Sequence, residues 1–361
     1  MKAKKIFSLF VICIVIGIAL VIAGYSMGGD IRSIYISKKG ISVEQNDNDP
    51  DDVKPKDEQE ETVSAGANNV TKKDELPAFS SMDIKLNYAN FMIIPSDHYG
   101  IEYCMPGVSI PKYEVKNGTL YVESSAYKND NWQIRLFGFQ NREESVTPNS
   151  VNIYIPRGME GDKLSVFLSS GKISIDSANF KKMKLENSFG DLEFGRIKSE
   201  NLEVDVKSGS IIGEEIDSQK AELNLNFGRS DISSVKSDDL EMDVRMGSLN
   251  VDSILGGTAD VLCSFGELVI NSVSSKELYA NNSFGEIDIS GISADTIDAN
   301  VSFGEIKVEL NNIDEYNMDC KADFGDVVIN NQSKGGSYTL ADSAKKKKLK
   351  AKCSFGEIEV R

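Results

Sequence analysis

The sequence predicts an all-β chain whose body is a parallel β-solenoid, and three observations predict it. First, glycine recurs at a fixed interval: Gly171, Gly190, Gly209, Gly228, Gly247, Gly266, Gly285 and Gly304 each follow the last by 19 residues, and the surrounding phrase returns at Gly325 and Gly356. A period near 20 residues marks stacked units, each too small to bury its own apolar face. Second, counted from each glycine, apolar residues fall at −7, −5 and −3, as in Leu202, Val204 and Val206, which is strand alternation. Third, the phase changes after the glycine to +2 and +4, as in Ile287 and Ile289. The chain therefore turns a corner there, and a residue without Cβ allows both the turn and the close approach of the next layer.

The remaining positions of the repeat follow from the same count. Position −1 is usually Phe (Phe189, Phe227, Phe265, Phe284, Phe303, Phe324, Phe355), with Ser170, Ser208 and Met246 as exceptions. It shares the parity of the inward residues, so a continuous inward Phe column is expected. A third apolar column lies at +7 (Ile197, Ile216, Val235) and small residues follow at +9 (Ser199, Ser218, Ser237), where a second bend fits. Laid rung on rung at ~4.8 Å, about ten rungs make a rod of ~45–50 Å. The alternative is an antiparallel meander with Phe-Gly at each turn, but two-residue hairpins favour Asn-Gly or Asp-Gly.

Before the repeat, the chain divides in order. Lys2, Lys4 and Lys5 precede residues 6–25, which carry no charge; this is close to the ~20 residues that cross a bilayer. Residues 1–25 are expected to be a transmembrane signal anchor, with a cleaved signal peptide as the alternative. Residues 26–76 read as a juxtamembrane segment and a disordered acidic linker, dense in Asp and Glu from Glu44 onward and poor in apolar side chains. Residues 77–163 read as a β-rich cap with a hairpin at Asn117-Gly118, and 164–361 as the solenoid. The 31 residues from Gly325 to Gly356 exceed the repeat and imply a loop that holds the lysine run.

Little in the chain points to catalysis. The net charge of −16 disfavours nucleic acid as a partner, since phosphate binding draws on clustered Lys and Arg. The one histidine, His98, has no second group at catalytic or metal-ligand spacing, and no cofactor motif is present. Asp323-Phe324-Gly325 spells a kinase signature, yet it is a copy of the repeat phrase. Cys263, Cys320 and Cys353 fall on inward columns and read as small core residues; the two-residue offset of Cys320 and Cys353 places their Cα atoms ~8 Å apart, too far to bridge.

Two surface features stand out. Asp191, Glu267, Glu286, Glu305, Asp326 and Glu357 at +1 form a carboxylate stripe, which either splays into solvent or draws a divalent cation. Lys345, Lys346, Lys347 and Lys348 form the densest positive run, either a solvated loop or a contact for an anionic partner such as wall polymer or lipid head groups.

The phrases Ser188-Phe189-Gly190-Asp191-Leu192, Ser283-Phe284-Gly285-Glu286-Ile287 and Ser354-Phe355-Gly356-Glu357-Ile358, with Ile153-Tyr154-Ile155-Pro156 before them, resemble the bacterial "putative adhesin" family, a domain of unknown function built from β-strand repeats. The resemblance covers roughly residues 77–361. It implies a β-solenoid in the bacterial envelope, often behind one membrane segment, and brings no catalytic residues. The expected function is thus non-enzymatic: a single-pass, extracytoplasmic rod of the cell membrane that binds or scaffolds envelope or surface partners. The alternatives are an accessory that modulates a membrane sensor of envelope stress, and a carbohydrate-active β-helix enzyme.

Overall fold

The computed structural model describes residues 34–37, 40–43, 69–124, 133–136 and 149–361. The chain forms two units. In the first, residues 1–65 and 128–146, the described part is an antiparallel sheet of Gly40–Val43, Ile34–Ser37 and Gln133–Leu136. The charge-free run 6–25 and most of the acidic linker lie outside the described residues. No helix among the described residues is long and apolar enough to cross a membrane.

The second unit, residues 66–127 and 147–361, holds the repeat. Its strands pair in parallel at the repeat offset: Ile173 lies beside Leu192, Met183 beside Leu202, and Phe284 beside Phe303. The stack, and not the antiparallel meander, is what the alternation builds. The columns at −7, −5, −3, +2, +4 and +7 are buried, as in Leu202, Val204, Val206, Ile211 and Ile216. The +9 bend is also made as expected. Ser218 and Ser237 are buried there and donate to the carbonyl oxygens of Lys220 and Asp239, so the bend's backbone acceptors stay satisfied away from water.

The expected inward Phe column is overturned. Phe284 and Phe303 are 40% and 45% exposed, and the other −1 phenylalanines are exposed as well. The reason is local: pairing runs through Cys263 with Asn282 and resumes at Phe265 with Phe284, omitting Ser264. The same omission recurs at Ser283, Ser302 and Asp323. The change of phase therefore falls at −2, ahead of the glycine, and the next side chain turns outward.

Two further boundaries shift. Asn69–Glu75, within the acidic linker by composition, is a strand antiparallel to Gly100–Pro106. The cap also contains a rung of the repeat: Ser81–Tyr88 and Asn90–Ser96 pair in parallel with the Gly171 rung, Met82 beside Leu164 and Phe91 beside Ile173, with Ala89 at the corner. Met82, Ile84 and Leu86, then Phe91 and Ile93, are its −7, −5, −3, +2 and +4 residues, all buried. The hairpin at Asn117-Gly118 forms as expected, with φ of 51° and 74° and Lys116 beside Thr119.

At both ends the stack departs from sequence order. Thr119–Glu123 and Ser150–Pro156 lie outside the earlier Ser81–Ser96 rung. At the other end, Lys347–Val360 inserts between Thr296–Leu310 and Tyr316–Phe324. The final copy matches the Gly304 copy closely, Ala351 beside Ala299, Phe355 beside Phe303 and Ile358 beside Ile306, and Lys350 pairs with Asp298 at 2.6 Å. The Gly325 copy instead takes the antiparallel strand Ser337–Leu340 on its outer edge. Antiparallel strands thus close the stack, covering edges that would otherwise remain open.

Candidate functional site

The outward Phe residues build one continuous feature. Phe265, Phe284, Phe303, Phe355 and Phe324 stack face to face in that spatial order, with centroids 4.9, 5.0, 4.8 and 4.8 Å apart and planes within 6° of parallel. The centroid spacing is the inter-strand spacing of a sheet, so the backbone itself sets the ladder. Each ring covers its neighbour's face and leaves its edge to solvent.

The corner beneath the rings is rigid for two reasons. Gly304 sits at φ 141°, and a Cβ there would collide with the carbonyl oxygen of Gly285 in the rung below. The −3 residue then stitches the corner from inside. Asn282 is buried, donates to the carbonyls of Gly266 and Glu286 at 2.8 and 3.1 Å, and accepts from the N–H of Phe284 at 3.1 Å. A buried amide with these partners holds the aromatic residue's backbone in place. Cys263 and Cys353 occupy the same position, and their thiols point to corner carbonyls.

On the far side of each glycine stands a carboxylate: Glu267 beside Glu286, Glu286 beside Glu305, and Glu305 beside Glu357. Lys307 bridges two of them, 2.6 Å from Glu286 and 3.2 Å from Glu305, and these contacts hold its ammonium above the ordinary lysine range. Among the described residues, Glu267, Glu357 and Asp326 form no ion pair. Stacked like charges disfavour one another, and here the chain leaves most of them uncompensated.

The family described as Toastrack DUF4097 matches residues 79–254 and again 230–359. The chain belongs to the Toastrack DUF4097 family. Among solved structures, a protein described as a putative adhesin from Parabacteroides merdae is 12% identical, covers 81% of this chain and 96% of its own, with a TM-score of 0.36. Another putative adhesin, from Bacteroides fragilis, is 14% identical, covers 81% and 97%, with a TM-score of 0.30. A protein from Parabacteroides distasonis described as a putative lipid-binding protein is 14% identical, covers 82% and 98%, with a TM-score of 0.30. No curated protein matches the sequence.

The other sequence candidates find quieter places in the Toastrack repeat. Lys347 and Lys348 open the inserted strand Lys347–Val360 and Lys345 and Lys346 lead into it, so the run is anchored more closely than a projecting loop. Lys347 pairs with Glu315 at 2.8 Å and lies over the Tyr316 ring, while Lys346 and Lys348 are exposed. His98 Nδ1 meets both Ser96 Oγ at 3.0 Å and Asp97 Oδ1 at 2.7 Å; with both partners on one nitrogen, no proton relay is formed. Cys263, Cys320 and Cys353 are buried and free, and burial pushes the first two thiols up to about 11 and about 12. No group of three metal-ligating side chains forms among the described residues.

A depression of about 990 Å³ runs along the strand after the corner from Met92 to Asn271. Several of its polar groups are tied to one another: Arg229 to Asp231, Asn250 to Asp231 and Asn271 to Asp252. What distinguishes the Phe edge is a stack of rings at the sheet spacing, followed across each glycine by an acid. Sequence reasoning found the ladder's members and misplaced their direction. The signal that locates it was present, since the run of unbroken Phe coincides with the run of unbroken acids at +1.

Proposed function

We propose that this protein is a non-enzymatic binding rod, anchored to the cell membrane by residues 1–25 and facing outward, that holds an envelope or surface partner along its Phe edge. The observation that carries the reading is the exposed ladder from Phe265 to Phe324. Aligned exposed aromatic side chains mark interaction surfaces, whereas solitary ones do not. Support for the anchor comes from the charge-free run behind three lysines. A carbohydrate-active enzyme would need two acids facing across a cleft; the acids of the edge lie in a row instead.

The test is affinity capture from solubilised native membranes with the full chain, its Phe284→Ser/Phe303→Ser variant and its Phe189→Ser variant. The expected result is a partner held by the wild type and by Phe189→Ser and lost from the double variant. Equal capture by all three would overturn the role of the edge. Protease added outside intact cells should cleave the chain, and full protection would overturn the outward orientation.

A further inference from the structure

The edge also specifies a chemical class of ligand. Resting on the binding role above, we infer that the Phe edge takes a linear polyamine, a chain of ammonium groups joined by short methylene spacers and laid along the rod.

The chain itself demonstrates half of this recognition. Lys307 presents an alkylammonium to Glu286 and Glu305 on neighbouring rungs, at 2.6 and 3.2 Å. Its neighbour in the column is Glu359, which adds an acid in place of an amine. Among the described residues, no lysine or arginine bridges Glu305 with Glu357, or Glu267 with Glu286. The position that Lys307 fills once is thus repeated on the adjoining rungs without an internal cation. One glycine separates each of these acids from a ring of the stack in sequence, so the ladder offers apolar surface on the same corner, and methylene groups pack on such surface.

Charge and spacing count against a second copy, a lipid surface and a basic peptide. A second copy of this chain would bring an identical row of acids against the first, and an anionic lipid surface meets the same repulsion. A basic peptide in extended form repeats its same-face side chains every ~6.6–6.8 Å and falls out of step with a ladder of 4.8–5.0 Å spacing. An extended backbone advances ~3.6 Å over three bonds, or ~1.2 Å per bond. Four bonds, the path between nitrogens across three methylenes, therefore span ~4.8 Å. An aminopropyl repeat stays in register with every rung.

The experiment is calorimetric titration of the full chain in neutral detergent at low salt. The probes are bis(3-aminopropyl)amine, bis(6-aminohexyl)amine, magnesium ion and a tetralysine peptide. Binding of the first at least ten-fold tighter than the other three is expected. Glu305→Gln/Glu357→Gln should weaken it at least ten-fold, and Lys307→Met, which vacates one more position, should tighten it about three-fold. That gain cannot come from misfolding. Physiological salt should weaken binding, as screening requires. Equal affinity for the two triamines and magnesium would mean unspecific charge neutralisation and overturn the inference, as would tighter binding of tetralysine or no binding at all. If the amines fail while Phe284→Ser/Phe303→Ser still loses its membrane partner, only the ligand class falls; if that variant keeps the partner, the edge itself falls.

Discussion

From Gly171 to Gly247 the corner of the stack presents a broken edge: Ser170, Phe189, Ser208, Phe227 and Met246 at −1, followed at +1 by Lys172, Asp191, Ser210, Arg229 and Ser248. From Gly266 onward the same corner presents only Phe and only acids. The two halves share the glycine column and the inward columns. Their edges differ in how they are satisfied. In the first half Lys172 pairs with Glu193, Arg229 with Asp231, and Asp191 accepts from both the N–H and the hydroxyl of Ser210. In the second, Lys307 is the one cation among the described residues that answers the row of carboxylates. The inward columns are common to both halves, whereas the edge is not. The unsatisfied half is therefore where the edge departs most from what pairing within the chain supplies.

The sharpest way to break the comparison is at the glycines, where the halves should behave alike. Gly228→Ala and Gly304→Ala each force a Cβ into the carbonyl of the rung below, at φ of 139° and 141°. The loss should exceed the ~1–3 kcal/mol of backbone strain alone, in both halves. Denaturant melts and expression yield measure it. A tolerant Gly304→Ala would mean that the corner is not close-packed.

Alkaline pH should separate the halves. Cys263, Cys320 and Cys353 all lie in the second, as does buried Tyr316, pushed up to about 12. Burial raises these thiols above the ordinary value of 9.0. A raised folded pKa gives stability that is complete below the unfolded value and is lost as pH climbs toward the folded one. Stability should thus fall from pH ~9 upward, by up to ~1.4 kcal/mol per thiol for each pH unit. Proteolysis at pH 10 should cut the second half first, and Cys→Ala at all three positions should remove most of the difference. Equal cutting of both halves would contradict it.

Next in size is the ladder. Phe284 stacks on both sides, and each aromatic pair contributes ~0.5–1.5 kcal/mol beyond area, so Phe284→Ala should cost ~1–3 kcal/mol. Phe227, exposed and without a stacked ring among the described residues, should lose less than ~0.5 kcal/mol, the usual surface range. Similar losses at both sites would remove the distinction between a ladder and scattered rings. An inward ring at Phe284 would have cost ~3–5 kcal/mol, so the same melt checks the direction of the side chain.

How far the sequence reaches is visible in these residues. Period, corner and inward columns were legible because they recur with every copy, and one register satisfies all of them. The direction of Phe was not, since parity counting assumes an unbroken strand and the omission at Ser283 is a feature of pairing. The Ala89 rung has the same alternation but lacks glycine and Phe, so a search by phrase passes over it. The inserted final strand was beyond reach for another reason: Gly356 pairing beside Gly304 depends on which copies match best in space, and order along the chain says nothing of that. The site was half legible, its residues named and its shared edge unseen.

The smallest effects carry opposite signs and so test the comparison most directly. Asp191→Asn, in the first half, weakens an acceptor that holds Ser210 N at 3.0 Å and Ser210 Oγ at 2.6 Å. A typical hydrogen bond contributes ~0.5–1.5 kcal/mol, and at this exposed site the loss should lie at the low end. Glu357→Gln, in the second half, removes a charge facing Glu305 on the next rung, and like charges directly opposite cost ~0.2–1 kcal/mol. That substitution should stabilise by a few tenths. Salt tells the two apart further. Raising it screens the repulsion, so the gain from Glu357→Gln should shrink by roughly half near physiological strength, because the two acids lie closer than the screening length of ~8 Å. The Asp191→Asn loss should persist, because short-range hydrogen bonding is screened much less. Melting both variants at low and at physiological salt gives four values. If Glu357→Gln destabilises at low salt, the carboxylate row is already compensated in the folded chain, and the second half's edge is as self-sufficient as the first's.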